Sequence, residues 1–377
     1  WRSEEETMAS KGSKREAIMG HFGTTPVSKY EKIHVIGEGT YGKVYLGRDT
    51  ESNEIVALKR VRLMDEKNGF PLTSIREIQI LRKLNHPNVV ALKEVSVGKK
   101  PDSIFLVFEF CSHDFAELVD NMPRPFRPSE IKCVMLQLLS ALDHLHKNFI
   151  IHRDLKLANL LITNSGQLKI ADFGLARIFG NPLKPYTPRV VTLWYRAPEL
   201  LLGCKTYHTA VDMWATGCML GELLRNTPLL PGETEIEQIE MIFRLLGTPN
   251  EKIWPGLREL DISTYIENFP NYPYNNLDET FANITTPKGV EFLSKLLTYD
   301  PCKRITAEKA LAHPYFTEAP LAITHELMPT FPSKKIKDIN LFTKAKHKKR
   351  GTSSSRGGTS GKSKHVSDKK SRKRSRP

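Results

Sequence analysis

The sequence predicts an α+β fold in two unequal parts, a small β-rich unit followed by a larger, mainly helical one. Two observations carry this. Between Tyr30 and Phe110, short runs rich in Val, Ile and Phe alternate with turns, whereas from Phe115 onward apolar residues recur at three- and four-residue steps. A β-rich unit set ahead of a helical one leaves a cleft between them, where ligands tend to bind.

The elements follow in order. Residues 1–29 read as a flexible leader, which begins "WRSEEETMASKGSKREA" and lacks the apolar core of a signal peptide. A chain starting with Trp reads as a fragment, or as a reading frame extended upstream of Met8. Residues 30–110 carry the strand-like runs "EKIHVIGEG", "GKVYLGRD", "EIVALKRVR", "VVALKEVSV" and "SIFLVFEF". One helix interrupts them. "GFPLTSIREIQIL", residues 69–81, opens with the turn residues Gly69 and Pro71, has Thr73 or Ser74 as a cap, and sets Ile75, Ile78, Leu81 and Leu84 along one face. It also holds Arg76 and Glu77 side by side. Adjacent helical residues do not face each other, so each charge has a partner elsewhere or is a solvated edge. Residues 111–333 form the helical part, in which "IKCVMLQLLSALDHLHKNF" reads as a long buried helix. Residues 334–377 cannot bury a core and read as a disordered basic tail of Ser, Lys and Arg.

Composition narrows the function classes. The chain has 377 residues, 40% of them hydrophobic, enough for a real core. Its formal charge of +14 is unevenly spread: residues 344–377 hold fourteen Lys or Arg and one Asp, so the rest is nearly neutral. Such a basic run binds phosphates without sequence preference, but the tail lacks the Phe, Tyr and Trp that stack on bases. It is expected to act as a nuclear-localisation signal, with weak nonspecific nucleic-acid contact as a secondary property. The expected location is the nucleus, extending to the cytoplasm. Five scattered cysteines with no CxxC argue against a zinc site or disulfide framework and for a reducing compartment. No apolar run is long enough for a membrane helix, and no membrane partner is expected.

The chemistry lies in a few motifs. Gly37-Glu38-Gly39-Thr40-Tyr41-Gly42-Lys43-Val44 is a GxGxxGxV element, whose bare glycines let the backbone approach phosphates. A dinucleotide-binding turn opens a helix here. The strand-like "KVYLGRD" follows instead, which favours a flap over ATP. Lys59 ends the apolar "VALK", so its ammonium is expected in the cleft as a point charge for the α- and β-phosphates. His152-Arg153-Asp154-Leu155-Lys156-Leu157-Ala158-Asn159 fits H-R-D-x-x-x-x-N, and Asp172-Phe173-Gly174 and Ala197-Pro198-Glu199 follow. This order and spacing is the protein-kinase signature set.

On these residues the chain resembles the eukaryotic protein kinases from Tyr30 to Ser333, and within them it is similar to the cyclin-dependent kinases. The specific stretches are "GEGTYGKVY", "PLTSIRE", "VVTLWYRAPELLLG", "DMWATGCMLGELL", "LGTPNEKIWPG" and "DPCKRITAEKAL". "PLTSIRE" with "YTPRVVTLWYRAPE" resembles the branch whose members carry PITSLRE or PISSLRE helices. The resemblance implies a bilobal kinase fold, with a β-rich N-lobe holding one regulatory helix over a mainly helical C-lobe. It implies ATP and Mg2+ as cofactors, Asp154 as acceptor of the substrate hydroxyl proton, Lys156 as the charge on the transferred phosphoryl group, and Asn159 and Asp172 as magnesium ligands. It further implies adenine walls from Ile36, Val44, Ala57 and Leu161 with Phe108 behind, edge bonds from the backbone of Glu109 to Cys111, and a ribose contact from Asp114. Leu157 and Ala158 depart from the Pro-Gln of many relatives, at positions that do not touch phosphate chemistry.

The same resemblance gives the two opening charges partners. Glu77 is expected on Lys59, and Arg76 with Arg153 and Arg177 in a cluster that receives phosphorylated Thr187. Thr187 precedes Pro188 and implies a separate activating kinase. A cyclin is expected on the "PLTSIRE" helix, and inhibitory phosphate on Thr40 or Tyr41. Val190 and Val191, before Thr192, imply acceptance of proline after the target Ser or Thr, with Arg196 supporting the loop. Glu199 is expected to pair with Arg304, and Asp212 to hold the catalytic-loop backbone. Regulation of transcription, RNA processing or the cell cycle follows by the same resemblance. The competing reading, a pseudokinase scaffold that binds a cyclin-like partner without catalysis, is opposed by the joint presence of Lys59, Glu77, Asp154, Asn159 and Asp172.

Overall fold

A computed structural model describes residues 24–39, 42–61, 71–98, 103–180, 192–260 and 269–329. Thr40, Tyr41, Thr187, Val190, Val191, most of the leader and the basic tail lie outside them. Among the described residues the N-terminal part forms a six-stranded sheet in the order β1-β5-β6-β4-β3-β2. Its strands are β1 (Thr25–Pro26), β2 (Tyr30–Gly39), β3 (Gly42–Asp49), β4 (Ile55–Arg60), β5 (Leu92–Val97) and β6 (Ile104–Glu109). The last five coincide with the runs legible in the sequence. β1 comes from the stretch read as leader. It pairs parallel to β5, Thr25 against Ser96, at an edge where Pro26 has no N–H to satisfy. The Thr25 hydroxyl donates to Glu94 at 2.8 Å and lies 3.0 Å from Ser96 Oγ.

The helix in this lobe, α1 (Leu72–Leu81), starts earlier than a Thr73 or Ser74 cap allows. Pro71 precedes its first turn and accepts from Ser74 N and Ile75 N through its carbonyl, and no side chain caps it. Ile78, Ile80 and Leu81 are buried, Ile75 packs partly on the core, and Leu84 packs there from beyond the helix end. With them Glu77 is carried inward, 4% exposed, while Arg76 on the adjoining face is exposed.

The C-terminal part is helical around two buried rods. The first is the predicted long helix. After α2 (Phe115–Asn121), α3 (Pro128–Lys147) begins with Pro at its first position, and Glu130 accepts from Arg127 N at 2.7 Å. Its apolar stripe from Ile131 to Leu145 is buried, as three- and four-residue spacing requires. After the short α4 (Pro198–Leu201), the second rod is α5 (Ala210–Arg225), buried almost all round. Around them lie α6 (Glu235–Leu246), α7 (Leu277–Phe281), α8 (Pro287–Leu296) and α9 (Ala307–Leu311). Residues 88–90 join the two parts at the back. Val90 N donates to Ile170 O and Ile170 N to Asn88 O, both at 2.9 Å, while the Asn88 amide reaches Leu168 O. The five cysteines are free thiols, and no helix among the described residues is long and apolar enough to cross a membrane.

Candidate active site

The cleft side of the sheet is set by register. β3 and β4 place Val44 opposite Lys59, and β4 and β6 place Ala57 opposite Phe108. The flap is the β2–β3 hairpin, with Gly37 opposite Val44, Glu38 opposite Lys43, and Gly39 opposite Gly42. Gly42 has φ +131°, a conformation that a residue with a Cβ rarely adopts. Lys43 and Glu38 form an exposed ion pair at 3.3 Å. From the other lobe, Leu161 lies opposite Asp114 in a small sheet, so the expected adenine and ribose positions are neighbours. Ile36, Val44, Ala57 and Leu161 are all half-buried and Phe108 is buried.

Two hinge details were not legible. Glu109 N–H already donates to Ala91 O at 3.1 Å, so the adenine-edge role left to that residue's backbone is its carbonyl. The Glu109 carboxylate accepts from Ala91 N and pairs with Lys169 at 2.9 Å. Asp114 is first of all a helix cap, accepting from Ala116 N at 2.9 Å and Glu117 N at 3.1 Å.

The Lys59 ammonium sits between two carboxylates, 2.8 Å from Glu77 Oε1 and 3.1 Å from Asp172 Oδ1. Burial pushes the lysine pKa down, but the two carboxylates outweigh it and hold the group above its ordinary value. Burial likewise pushes Asp172 up, and Lys59 outweighs it, so its pKa lies below the usual carboxylate range. Asp172 adopts φ +61°, ψ +73°, and Phe173 beyond it is fully buried with its ring edge-on to His152 at 4.9 Å.

The catalytic loop is organised from α5. Asp212, 1% exposed, accepts from His152 N and Arg153 N at 2.9 Å each, and His146 Nε2 lies 3.0 Å from the same carboxylate. Burial raises its pKa, and His146 and the backbone N–H groups lower it further than that. Arg153 is held at φ +68°. The next residue, Asp154, is thereby presented at the cleft floor. Its Oδ2 accepts from Asn159 Nδ2 at 2.9 Å and Lys156 Nζ at 3.2 Å, and its Oδ1 accepts from Thr192 Oγ1 at 3.2 Å. Lys156 also donates to Thr192 Oγ1 at 3.1 Å. Leu157 is buried in the core and Ala158 is exposed, so neither departing residue touches this cluster.

Magnesium can be tested against these donors. Asn159 turns its amide nitrogen to Asp154, which leaves its carbonyl oxygen as a ligand, and Asp172 keeps a second carboxylate oxygen beside the one on Lys59. Two oxygen donors suit a hard cation that otherwise takes waters and phosphate oxygens. No group of three or more His, Cys, Asp or Glu among the described residues could hold a metal alone.

Of the expected arginine cluster, two members meet. Arg153 Nε donates to Leu175 O at 2.8 Å, and Arg177 NH1 lies 3.5 Å from the same carbonyl. Arg153 also donates to Tyr207 OH at 2.7 Å. Arg76 makes no hydrogen bond or ion pair among the described residues. Glu199 and Arg304 form the expected brace, bidentate at 2.7 and 2.8 Å and fully buried. Arg196 pairs with Glu235 at 2.6 Å. Sequence reasoning missed Thr192 as a bridge, His146 on Asp212, Tyr207 on Arg153 and Lys169 on Glu109. Each is a lone polar residue whose partner is set only by the folded chain.

Residues 30–316 match the protein kinase domain family, and the chain belongs to the protein kinases. It is 55% identical over 306 residues to Cyclin-dependent kinase 10 of Mus musculus, covering 81% of this chain and 84% of that protein. It is 54% identical over 317 residues to Probable cyclin-dependent kinase 10 of Dictyostelium discoideum, covering 83% and 86%. Against Cyclin-dependent kinase 11B of Mus musculus it is 51% identical over 312 residues, covering 83% of this chain and 40% of that longer protein. Within the family the chain is a cyclin-dependent serine/threonine kinase of the PITSLRE and PISSLRE branch. ATP and Mg2+ use, a cyclin partner and protein substrates follow at the level of the family.

Proposed function

We propose that this kinase phosphorylates Ser or Thr followed by Pro, using Asp154 as the proton acceptor, under control of a cyclin on α1 and of phosphate on Thr187. The observation that carries the reading is a pair of charged clusters: Lys59 between Glu77 and Asp172, and Asp154 held by Lys156, Asn159 and Thr192. Lys59 lies where the α- and β-phosphates of ATP pass beneath the flap. Asp154 holds the substrate hydroxyl and takes its proton as the new O–P bond forms. The γ-phosphoryl group moves to the substrate oxygen, and the electron pair of the breaking P–O bond stays on the β-phosphate of ADP. Lys156, on the same carboxylate, offsets charge on the transferred group. Magnesium, when bound through Asn159 and Asp172, neutralises phosphate charge.

Two features support the regulatory part. Leu72, 67% exposed at the start of α1, is an apolar residue facing solvent on the helix that positions Glu77. Arg153 and Arg177 converge on one carbonyl, that of Leu175. The basic tail supports a nuclear location, and the branch supports a role in transcription, RNA processing or the cell cycle.

Asp154→Asn tests the assignment. The change keeps shape and removes the carboxylate, so the cyclin-bound protein should retain ATP binding and lose on the order of a hundredfold or more in turnover. Near-normal turnover overturns the role of Asp154.

A further inference from the structure

Glu109, the last residue of β6, is gripped from both lobes. Its N–H donates to Ala91 O at 3.1 Å and its Oε1 accepts from Ala91 N at 2.8 Å, both within the N-lobe. The same Oε1 lies 2.9 Å from the ammonium of Lys169, which stands on the C-lobe strand Leu168–Ile170. The lysine side chain is 8% exposed and the glutamate side chain 22%, so the pair is well shielded from water. A shielded ion pair adds little net stability over apolar residues of similar size. Its placement is the informative part.

Lys169 stands directly opposite Leu161 in the antiparallel pairing of Leu168–Ile170 with Leu160–Ile162. Opposite residues in such a pair share one face of the sheet. Leu161 is the expected floor under adenine, and Glu109 carries the expected acceptor carbonyl at the adenine edge. Lys169 thus reaches from beside the floor to the residue that forms the edge. Joining the lobes does not depend on this contact. One residue along, Ile170 already exchanges backbone hydrogen bonds with the segment 88–90: Val90 N donates to Ile170 O and Ile170 N to Asn88 O, each at 2.9 Å. What the ion pair adds is confined to Glu109 itself. A lysine side chain is flexible, and its ammonium is fixed here only by ending on that carboxylate.

On the reading of Glu109 as the acceptor at the adenine edge, we propose that Lys169 is a positioning residue for ATP. Acting through the Glu109 carboxylate, it holds the hinge carbonyl at the spacing from Leu161 that the exocyclic amino group of adenine requires.

The test compares ATP with inosine triphosphate, which carries an oxygen in place of that amino group and offers the carbonyl no donor. Affinities for both, with Mg2+, are measured by calorimetry on the full chain, and kcat by steady-state kinetics with ATP and cyclin saturating. The wild type should prefer ATP by about tenfold or more, the worth of a hydrogen bond lost and an acceptor left unsatisfied. Lys169→Met should lower ATP affinity about three- to tenfold, the worth of one neutral hydrogen bond. Affinity for inosine triphosphate and kcat should change less than about twofold, because neither uses that bond. The preference for ATP therefore collapses. Lys169→Arg keeps the charge and should keep the preference. Lys169→Met leaves Glu109 unpaired, so a double variant, Lys169→Met with Glu109→Gln, removes both charges and retains an acceptor for Ala91 N. It should show the same collapse, and it decides the matter where the single variant does not fold. A wild type without preference for ATP overturns the reading of Glu109, and the role of Lys169 with it. A wild-type preference that survives in folded Lys169→Met or in the double variant overturns the role of Lys169 alone. So does an equal loss for both nucleotides, which is the sign of general damage to the cleft.

Discussion

Asp212→Asn should disable phosphoryl transfer without touching any group that contacts substrate. The wild-type carboxylate accepts two buried backbone N–H groups, from His152 and Arg153, at 2.9 Å each, and faces His146 as well. An asparagine amide has one oxygen, so one backbone donor loses its acceptor and meets an NH2 group instead. Losing a charge-assisted bond costs about 1.5–3 kcal/mol, and leaving a buried donor unsatisfied about 1–3 kcal/mol. The loop under this strain already holds Arg153 at φ +68°, a conformation that persists only while its surroundings impose it. Relaxation there moves Asp154, the next residue. A loss of about 3 kcal/mol in the transition state is roughly a hundredfold in kcat. Lys59, Glu77 and Asp172 do not contact Asp212, so KM for ATP should change by a few-fold at most, on the order expected for an untouched binding interaction. Steady-state kinetics with saturating cyclin, alongside thermal unfolding to show the variant is folded, give both numbers. A kcat within about threefold of wild type in a folded variant, under 1 kcal/mol by the same conversion, refutes the claim that Asp212 holds the loop in its working shape.

Further outcomes follow from other parts of the molecule. Thr187→Ala and Arg76→Ala should each lower cyclin-saturated activity, and the double variant should lose little more than the worse single one; additive losses would return Arg76 to the role of a surface charge. Gly166→Ala should destabilise the fold by more than about 1 kcal/mol in urea titration, because Gly166 has φ +74° and an added Cβ would collide with the His325 carbonyl. Stability should fall between pH 7.5 and 5.5. Burial, the largest cause in each case, lowers the pKa of His86, His208 and His313, so the unfolded chain binds more protons below its ordinary histidine pKa. The stability these groups contribute is present above about pH 6.5 and lost as the pH falls through their folded pKa values, at no more than about 1.4 kcal/mol per group per pH unit. His208→Gln should flatten the slope, and a flat wild-type profile would refute it.

Some of this was legible from residue order alone. The alternation of β2 to β6 is a property of neighbouring residues, and so is the stripe of α3. The glycine motif runs into strand β3 and not into a helix, as the residue order implied. The pairing of Glu199 with Arg304 was legible only by resemblance, since the two stand 105 positions apart. What stayed hidden was local competition and tertiary choice. Pro71 began α1 because its carbonyl accepts the first helical bonds, although Thr73 and Ser74 are the stronger capping types. Asp114 took the cap of α2 as well as its place opposite Leu161. Thr25 and Pro26 joined the sheet because β5 had an edge to fill, which the polar leader around them did not announce.

The electrostatics of Lys59 make the assembled cleft self-consistent. Its burial disfavours the ammonium, and the position is tolerable only because carboxylates from two separate elements arrive together, Glu77 from α1 and Asp172 from the segment before Phe173. Removing either carboxylate leaves the buried ammonium with one ion-pair partner in place of two. A ten-residue helix is marginal by itself, so α1 holds Glu77 there through the packing of Ile78, Ile80 and Leu81 and through its contact with residues 173–175. Any partner that presses on α1 therefore acts on the lysine, on Asp172 and on the turn that follows it at once.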